Sequence, residues 1–468
     1  MSEPNGQQLP PGWVATSLRD VLLDTETTDP SRQGKGEFSY IDIEAIDNKR
    51  QLIAQPKRLA NSAAPSRARN KLAAGDVLFC LVRPYLKNIA VVTIEFDDAV
   101  ASTAFFVSRS PAGVVSRFVF NLLRRDSFIH AIPTYGSSPP AARDIEFLNQ
   151  PILLPPSAEQ ERISDALDEL LSDLDAGVAA LERVQAKLKH YRAAVLKAAV
   201  EGTLVPTAKP YPIRRIGDAI ESLGQGWSPK CESQPAADSE TWAVIKTTAI
   251  QPLRYLEEHN KTLPAALKAR PRLELIEGDL LITRAGPRTR VGIACLVKRT
   301  RPRLMLCDKA YRLRCNKDTL SPAFLEVVLN APHIVTALDK LKTGINDSGL
   351  NLTQDRFADL LVPFPPPAEQ EAIVEAVEDQ LSVIEHLEAD LEAKLKSAQA
   401  LRQSILRHAF TGQLVPQDPK DEPAAELLKR IAAQREELAR QALAAKKTKP
   451  KAPPKRAARQ TGKRHSHD

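Results

Sequence analysis

The sequence predicts two mixed α/β globular modules in tandem, each followed by a long α-helix, with the two helices paired as an antiparallel intramolecular coiled coil. Three observations support this fold class. The chain has 468 residues, which is too many for one domain at roughly 100–200 residues per domain. The stretch PPSAEQERI at residues 155–163 returns as PPPAEQEAI at residues 365–373. Each copy opens a segment whose apolar residues recur at heptad spacing.

The repeat extends beyond these nine letters. Residues 155–206 align without a gap to residues 365–416, and the two stretches end in GTLVP and GQLVP. Upstream, GDVL at residue 75 matches GDLL at residue 278, and STAF at residue 102 matches DKAY at residue 308. The order is kept while the offset rises from 203 to 206, so we infer a tandem duplication with pseudo-twofold symmetry and small insertions in the second copy.

Both long segments are predicted to be helices with one apolar seam. The predicted seam positions are Leu167, Leu170, Leu174, Val178, Leu181, Val184, Leu188, Tyr191 and Val195 in the first copy, and Val377, Leu381, Ile384, Leu387, Leu391, Leu395, Ala398, Leu401 and Ile405 in the second. A seam of this kind serves packing or dimerisation. Because one chain carries two of them, we expect the two helices to pair with each other.

Capping signals mark the ends of these helices. Ser157 and Gln160 have the spacing of a capping box, whereas Pro367 replaces the serine in the second copy. Gly202 and Gly412 follow the last apolar helical residues, as helix-terminating glycines do.

The modules between the helices are predicted to contain short strands separated by Pro and Gly turns. Runs such as VLFCLV and STAFFVS in the first module, and LLITRA and AYRLRC in the second, are rich in β-branched and aromatic residues. We expect helices over 113–130 and 321–341. The predicted segments are a first module at 1–152, a first helix at 153–206, a second module at 207–362, a second helix at 363–416, and a tail at 417–468.

The net charge of +7 is concentrated in the tail. Residues 446–468 hold nine Lys or Arg and one acid, a sum of +8, so residues 1–445 are near −1. We expect a charged helix over about 424–446, followed by a disordered basic stretch that serves as a DNA tether or for solubility. The sequence has no long apolar run and no signal-peptide pattern, and its five cysteines are scattered, so we expect a cytoplasmic chain with reduced thiols.

Basic residues are concentrated in the middle of each module. RPYLK at 83–87 aligns with GPRTR at 286–290, and each stretch forms a Pro-containing turn between two predicted strands. Arg and Lys on such turns suit contacts to guanine edges or to phosphates. The DNA-binding candidates are Arg67, Arg69, Lys71, Arg83, Lys87, Arg284, Arg288, Arg290, Arg299 and Lys309. A solvated charged face remains the alternative reading of these clusters.

Motifs of covalent chemistry are missing from the sequence. No Pro-Pro pair has the Asn- or Asp-Pro-Pro-aromatic form of an adenine methyltransferase, and neither a Walker A sequence nor HExxH occurs. We therefore expect a chain without catalytic residues or a metal site.

These motifs together resemble the specificity subunit of type I restriction-modification enzymes over about residues 10–416. The resemblance is carried by GW-x4-L-x-D-V at 12–21, by GDVLF followed by RP-x-L-K, by PP-x-AEQ-x-x-I before each helix, and by ILRHAFTGQLV at the second helix end. The first helix end departs from this pattern, because Val200 stands where the second copy has Phe410.

The resemblance implies that the modules are target recognition domains, each reading one half of a split, asymmetric double-stranded DNA site. It implies that the helices set the unread spacer and dock two methyltransferase subunits, which carry S-adenosylmethionine and modify adenine N6. ATP- and Mg-dependent restriction subunits would join this core. The candidates for helix pairing and subunit docking are Glu159, Gln160, Leu167, Leu174, Leu181, Glu369, Gln370, Val377, Ile384 and Leu391.

Two other functions remain open from the residues. One is a duplicated coiled-coil scaffold that binds proteins and does not read DNA. The other is the recognition module of a modification enzyme outside type I, which would read DNA without a translocating partner.

Overall fold

A computed structural model describes residues 9–206, 211–316 and 318–448. Within the described residues the chain forms two compact units, one made of the stretches up to residue 178 and from residue 396 onward, and the other of the stretch from 179 to 395. Each unit therefore contains one module and a part of both long helices. The sequence analysis predicted limits for five segments: two modules, two helices and a tail. A compact unit can combine parts of several such segments, so these limits stay a prediction.

The first half of the chain contains eleven strands and five α-helices within the described residues. The strands are β1 (Val14–Ser17), β2 (Glu37–Ile41), β3 (Ile46–Asp47), β4 (Leu52–Ile53), β5 (Lys57–Ala60), β6 (Ala68–Lys71), β7 (Val77–Cys80), β8 (Ile89–Val91), β9 (Val100–Ser102), β10 (Phe105–Ser108) and β11 (Pro151–Leu154). The helices are α1 (Leu18–Val21), α2 (Ser116–Leu123), α3 (Asp126–Ala131), α4 (Asp144–Leu148) and the 44-residue α5 (Ser157–Val200).

The second half continues the same order. Its strands are β12 (Ile213–Arg215), β13 (Ile220–Gln225), β14 (Ala243–Ile245), β15 (Ile250–Gln251), β16 (Arg254–Tyr255), β17 (Asn260–Thr262), β18 (Leu280–Thr283), β19 (Ala285–Gly286), β20 (Ala294–Leu296), β21 (Leu304–Met305), β22 (Ala310–Cys315), β23 (Leu350–Asn351) and β24 (Leu361–Pro363). Its helices are α6 (Pro322–Asn330), α7 (Pro332–Leu341), α8 (Gln354–Ala358), the 43-residue α9 (Pro367–Ala409) and α10 (Ala424–Thr448).

The two modules share the same core strand pairings, to which the first module adds β6 beside β9 and the second adds β13 beside β22. In the first module, β10, β7 and β8 form one antiparallel sheet, and β2 lies between antiparallel β5 and parallel β9 in another. In the second module, β22, β18 and β20 repeat the first sheet, and β14 lies between antiparallel β17 and parallel β21. The first and last strands of each module also pair, β1 with β11 and β12 with β24. The duplication inferred from the sequence is therefore confirmed by the fold.

The central strands are apolar on both faces because each lies between two cores. Val77 and Phe79 of β7 pack into one hydrophobic cluster, and Leu78 and Cys80 pack into another. Alternate residues of a strand point to opposite faces, so a run without polar residues, such as VLFC, is buried on both sides.

The long helices pair in antiparallel fashion within each unit. In the first unit, the start of α5 and the end of α9 share a hydrophobic cluster, and Arg402 forms an ion pair with Asp175. In the second unit, the end of α5 packs with the start of α9, and Arg192 lies 2.9 Å from Glu388. The prediction that the two helices pair with each other is confirmed.

The heptad seam is wrong at five positions. Leu170, Val184, Tyr191, Leu387 and Leu401 are 40–51% exposed. Near the start of α5 the buried residues are instead Ile163, Leu167 and Leu171. These residues are four positions apart, because that end of the helix packs against the module at ordinary α-helical spacing.

The helix starts differ from the predicted capping box. The Ser157 hydroxyl donates to the Gly113 carbonyl at 2.6 Å, so it bonds to the module. Gln160 Nε2 donates to the Pro155 carbonyl at 3.0 Å, and Gln160 Oε1 accepts from the Val115 amide at 3.0 Å. The helix start is fixed by contacts to the module, which sequence spacing does not reveal.

The same glutamine contact occurs in the second copy. Gln370 Nε2 donates to the carbonyls of Pro365 at 2.8 Å and Thr319 at 2.9 Å, and Gln370 Oε1 accepts from the Ser321 amide at 2.7 Å. Gln160 and Gln370 are buried, so the predicted docking of a partner subunit on these two side chains is wrong. The glutamine of each AEQ motif joins a helix to its own module.

The predicted helices over 113–130 and 321–341 are each broken in two. The break at Ala331 precedes Pro332, because the residue before a proline disfavours helical geometry. In the first copy Arg125 is extended between α2 and α3. The charged helix predicted over about 424–446 is confirmed as α10.

The predicted helix-terminating glycines are confirmed. Gly202 and Gly412 have φ angles of 66° and 70°. The Thr203 amide donates to the Ala198 carbonyl at 2.8 Å, and the Gln413 amide donates to the His408 carbonyl at 2.9 Å. These bonds form Schellman-type ends, which need a left-handed residue that glycine supplies without strain.

Two further expectations concern the whole chain. None of the helices in the described part of the chain is long and apolar enough to cross a membrane. The five cysteines are free thiols, and burial raises the pKa of the Cys307 thiol to about 11. The predicted basic stretch at 449–468 lies outside the described residues.

Candidate nucleic-acid interface

The turn at 83–87 connects β7 to β8 through a 3-10 turn at Pro84–Leu86. Arg83 and Lys87 at its ends both adopt left-handed conformations, with φ of 51° and 55°. Each such residue costs roughly 1–2 kcal/mol, so the surrounding structure holds the turn in place. Tyr85 and Leu86 at the tip are exposed.

The equivalent turn of the second module has the same backbone framework. The Leu81 amide donates to the Ala104 carbonyl at 2.9 Å, and the Leu81 carbonyl accepts from Ala142 at 2.9 Å. At the matching place, the Arg284 amide donates to the Lys309 carbonyl at 2.9 Å, and the Arg284 carbonyl accepts from Leu352 at 2.8 Å. The alignment of the two basic turns thus corresponds to one structural position in both modules.

In each module a backbone hydrogen bond joins the basic turn to a loop. This loop precedes α4 in the first module and α8 in the second. The Arg83 amide donates to the Pro140 carbonyl at 2.8 Å, and the Arg288 amide donates to the Asp347 carbonyl at 2.8 Å. A turn and a loop therefore lie side by side at this surface of each module.

The predicted cations of the first module fall into two groups. Arg67 and Arg83 are exposed and form no ion pair with another described residue. Arg69 lies 2.6 Å from Asp29. Lys71 lies 3.1 Å from Asp98, which raises the pKa of the lysine, and Lys87 pairs with Asp126. Solvent screens these exposed ion pairs and makes them weak, so their cations can exchange the carboxylate for a phosphate.

Two predicted cations of the second module have structural roles. Arg290 donates to the carbonyls of Thr247 at 2.6 Å and Ile250 at 2.8 Å, and burial lowers the pKa of its guanidinium. Arg284 donates to the Asp308 carbonyl at 3.0 Å and lies over the Tyr311 ring. At least one guanidinium nitrogen of each arginine donates to a backbone carbonyl and the Nε atom of each is buried, so we assign Arg284 and Arg290 a structural role in place of the predicted DNA contact.

The other three cations predicted in this module are exposed. Arg288 forms ion pairs with Asp339 at 2.7 Å and Asp347 at 3.0 Å. Arg299 lines a groove of about 1010 Å³ between the module and the long helices of this unit. Lys309 lies beside a second, smaller cavity.

The smaller cavity, which we term the lysine cavity, has a volume of about 310 Å³ and is lined by Lys246, Lys261 and Lys309. Lys246 follows β14, and Lys309 lies in the segment after β21, so two of the lysines stand at the carboxyl ends of parallel neighbours. None of the three forms an ion pair with another described residue, and Asp308 is the acid in the lining. Clustered ammonium groups in a concave site favour phosphate.

Sequence reasoning missed Lys246 and Lys261, because each stands alone in a strand region and only the fold brings them together. It also missed Arg270, which lies 4.0 Å from the ring centroid of Trp227. A signal for Arg270 was present, since RAR at 67–69 aligns with RPR at 270–272 at the offset of 203 that relates the basic turns.

The first module has a different charge at the matching position. Asp42 follows β2 where Lys246 follows β14, and Lys57 lies 2.5 Å from Asp42 and 2.8 Å from Glu44. One backbone framework thus carries two unlike charged surfaces.

The remaining helix candidates are mostly covered by protein. Leu167, Val377, Ile384 and Leu391 are buried, and Leu174, Leu181 and Glu369 are partly exposed. Glu159 is buried and accepts hydrogen bonds from Trp13 Nε1 at 3.0 Å and Gln417 Nε2 at 3.2 Å, so the predicted docking on Glu159 is wrong. The burial of Glu159 raises the pKa of its carboxyl.

Comparison with known proteins identifies similar chains. No model of a known protein family matches the sequence. The chain is 37% identical over 196 residues to the Type I restriction enzyme EcoEI specificity subunit of Escherichia coli, a match that covers 41% of this chain and 33% of that subunit. It is 29% identical over 344 residues to the EcoKI specificity subunit of Escherichia coli strain K12, covering 69% and 72% of the two chains.

A solved structure extends the likeness to most of the fold. A chain from a structural study of complex assembly and conformational transition of the type I R-M system superposes with a TM-score of 0.74. The two are 26% identical, and the superposition covers 87% of this chain and 100% of that one. The chain is thus similar in sequence to type I restriction enzyme specificity subunits and in fold to a chain of a type I R-M system.

Proposed function

We propose that this chain is the DNA sequence-specificity subunit of a type I restriction-modification complex. Each module reads one half of a bipartite, asymmetric DNA site. The observation that carries this proposal is the repeated turn-and-loop framework with unlike side chains, Arg83 and Tyr85 in one copy and Arg288 and Ile345 in the other. An asymmetric site needs two readers of the same geometry and different chemistry.

In the proposed mechanism, exposed cations bind the DNA backbone and fix the register of each module. Phosphate contacts supply affinity that does not depend on sequence, and contacts to base edges supply specificity. In the first module Arg67 and Arg83 are free for this role, and in the second module the lysine cavity offers three ammonium groups.

The helices set the unread spacer and dock two methyltransferase subunits in this proposal. The exposed apolar residues of α5 and α9, including Leu170, Val184 and Leu387, are available to such partners. The chain itself performs no catalysis. The methyltransferase subunits carry S-adenosylmethionine for adenine N6 methylation, and restriction subunits carry ATP and Mg for translocation and cleavage.

Mapping of N6-methyladenine tests the proposal. The chain is expressed with its methyltransferase subunit in a host without other adenine methylation, and host DNA is sequenced by a long-read method. We expect one split motif with an unread spacer. A soluble, assembled complex that leaves DNA without a methylated motif would contradict the proposal and favour a scaffold function.

A further inference from the structure

The loop at residues 343–351 of the second module carries an isoleucine that packs on nothing. The relative exposure of Ile345 is 101%, the highest among the exposed large hydrophobic residues of the described chain. A single exposed apolar residue on a mobile loop would need no explanation. This loop, however, is tightly held.

Backbone pairing closes the loop at its base. The Thr343 amide donates to the Asn351 carbonyl at 2.7 Å, and the Asn351 amide donates to the Thr343 carbonyl at 2.7 Å. Gly344 has φ of 143°, and a Cβ there would lie 2.8 Å from the Gly349 carbonyl oxygen. The loop is therefore a narrow hairpin that needs glycine at residue 344.

Arg288 holds the far side of the hairpin. Its amide donates to the Asp347 carbonyl at 2.8 Å, and its Nε donates to Asp347 Oδ1 at 3.0 Å. A second guanidinium nitrogen donates to Asp339 Oδ2 at 2.7 Å, which ties the loop to α7. The guanidinium is engaged on two sides by the protein, so Arg288 positions the loop, and its predicted DNA contact stays a prediction.

The hairpin stands next to the surface that suits phosphate. The Leu352 amide, directly after the loop, donates to the Arg284 carbonyl, and the Arg284 amide donates to the Lys309 carbonyl. Two consecutive backbone hydrogen bonds thus connect the loop to the lysine cavity. A DNA backbone bound at Lys309 would bring base edges to the neighbouring hairpin.

We propose that Ile345 is a specificity-determining residue that contacts a thymine methyl group in one half-site, with Arg288 as its positioning residue. The inference rests on the proposed function and names the group that reads the base. Apolar side chains recognise the thymine C5 methyl in the major groove. A preorganised loop loses little conformational entropy on binding. This property suits a tip that makes a single small contact.

The first module has no equivalent apolar tip. In its loop, Tyr135 lies under the Arg143 guanidinium at 4.2 Å from the ring centroid, and its hydroxyl donates to Glu146 at 2.8 Å. The loop at this position therefore presents an exposed isoleucine in the second module and a tyrosine engaged by Arg143 and Glu146 in the first.

The test is the methylation motif of the complex with its methyltransferase subunit, measured for wild type, Ile345→Ala and Arg288→Gln. We expect Ile345→Ala to lower the preference for one T·A pair roughly tenfold, the usual range for one lost base contact, and to leave the other half-site unchanged. Arg288→Gln is expected to relax the same pair and to speed amide exchange at 343–351. Arg288→Lys, which keeps a charge for Asp339 and Asp347, is expected to restore part of the preference.

The matched control is Ile276→Ala, since Ile276 is another exposed isoleucine of this module at 52% exposure, and its motif should equal that of wild type. The inference is overturned if wild type methylates a split motif and Ile345→Ala leaves every position within twofold, or relaxes both half-sites equally. A wild-type complex that methylates no split motif would instead overturn the proposed function.

Discussion

The buried glutamines show most directly how the duplicated motif acts at the scale of single residues. Gln160 and Gln370 occupy the same place in the two AEQ motifs, and each amide group accepts from a module amide and donates to the Pro-Pro segment before its helix. A buried amide with both ends bonded is replaced at a cost, because its partners lose their hydrogen bonds together.

We expect Gln160→Ala to destabilise the first unit by about 2–3 kcal/mol, since it leaves the Val115 amide and the Pro155 carbonyl without partners. Hydrogen exchange at the Val115 amide is the direct measurement, and it should become faster. Gln55→Ala, at an exposed position, is the control and should leave exchange at Val115 unaltered. Equal exchange in Gln160→Ala and wild type would contradict the assignment.

A buried carboxyl in the second unit gives a prediction for pH. Glu326 is buried, and burial raises the pKa of its carboxyl from 4.5 to about 7, although its Oε1 accepts from the Leu296 amide at 2.6 Å. Lys298 nearby opposes this increase and Glu378 adds to it. The folded state therefore binds this proton more tightly than the unfolded state, and stability is lost as the pH rises from about 4.5 through 7.

Glu326→Gln is expected to increase the free energy of unfolding by roughly 3 kcal/mol above pH 8 and to change it little near pH 4.5. Urea unfolding of the second unit at several pH values measures this difference. Glu371→Gln, at an exposed site, is the control and should show no such dependence. A gain in stability that is the same at all pH values would exclude ionisation as the cause.

The sequence predicted the residue types of the candidate interface, Arg and Lys, better than it predicted the individual residues. The sequence predicted Arg290 on a basic turn, and the structure contains this turn. The Arg290 guanidinium, however, donates to the carbonyls of Thr247 and Ile250, about 40 residues away in sequence. Sequence reasoning missed Lys246 and Lys261 because they meet Lys309 only through strand pairing. Long-range contacts of this kind leave no local signal in a single sequence.

At the scale of elements, α10 is part of the first unit and not a free appendage. Ala424, Leu427 and Ile431 are buried in its hydrophobic core, and Arg435 donates to the Arg19 carbonyl at 2.6 Å. Gly113 makes the close approach possible, because a Cβ there would lie 2.7 Å from Leu427 Cδ1. The helix outside the family resemblance thus completes the first module.

Leu427→Ala is expected to destabilise the first unit by about 2–5 kcal/mol, the usual cost of truncating a buried leucine. Leu438→Ala on the same helix, at 45% exposure, should cost less than about 0.5 kcal/mol. Denaturation followed by the fluorescence of Trp13, which lies in the same core, reports the difference. Similar losses for both variants would contradict a packed α10.

The long helices illustrate what a pattern can and cannot predict for an element. Their existence, antiparallel pairing and glycine ends followed from heptads and capping signals. The buried positions did not, since Leu171 replaces Leu170 in the core where the helix packs on a module. The breaks within the shorter helices had a visible cause in Pro332 but none in the sequence before Asp126.

At the scale of the whole molecule, affinity for DNA should depend on the lysine cavity in a way that separates it from sequence reading. We expect Lys246→Gln and Lys309→Gln each to make the slope of log affinity against log salt shallower by about 0.9, the value for one phosphate contact. The methylation motif should not change. Titration of the complex with DNA at several salt concentrations gives the slope.

The matched control for this measurement is Lys57→Gln in the first module. Lys57 contacts both Asp42 and Glu44, so this cluster has a local charge of −1 that repels a phosphate, and we expect the slope to change little. If Lys246→Gln and Lys309→Gln leave the slope as in wild type, the cavity does not hold a phosphate.

The tandem architecture was the best predicted feature of the chain, because a duplication produces matching residues at many positions of the sequence. The offsets of 203 and 206 found in the sequence correspond to β7 with β18 and to β10 with β22. The second sheet of each module, with its parallel pair, had no such record, since the parallel pairing of β2 with β9 depends on residues about 60 positions apart.

The glutamine at each helix start also has a consequence for how such chains change over generations. Its partners are backbone groups, the amides of Val115 and Ser321 and the carbonyls that precede the helices, and backbone groups are present whatever side chains a module carries. If recombination at the Pro-Pro segment replaced a module by one from another gene, the new module would offer the same backbone hydrogen bonds to the glutamine. A new recognised DNA sequence is then acquired in one step, because the contact between module and helix is kept.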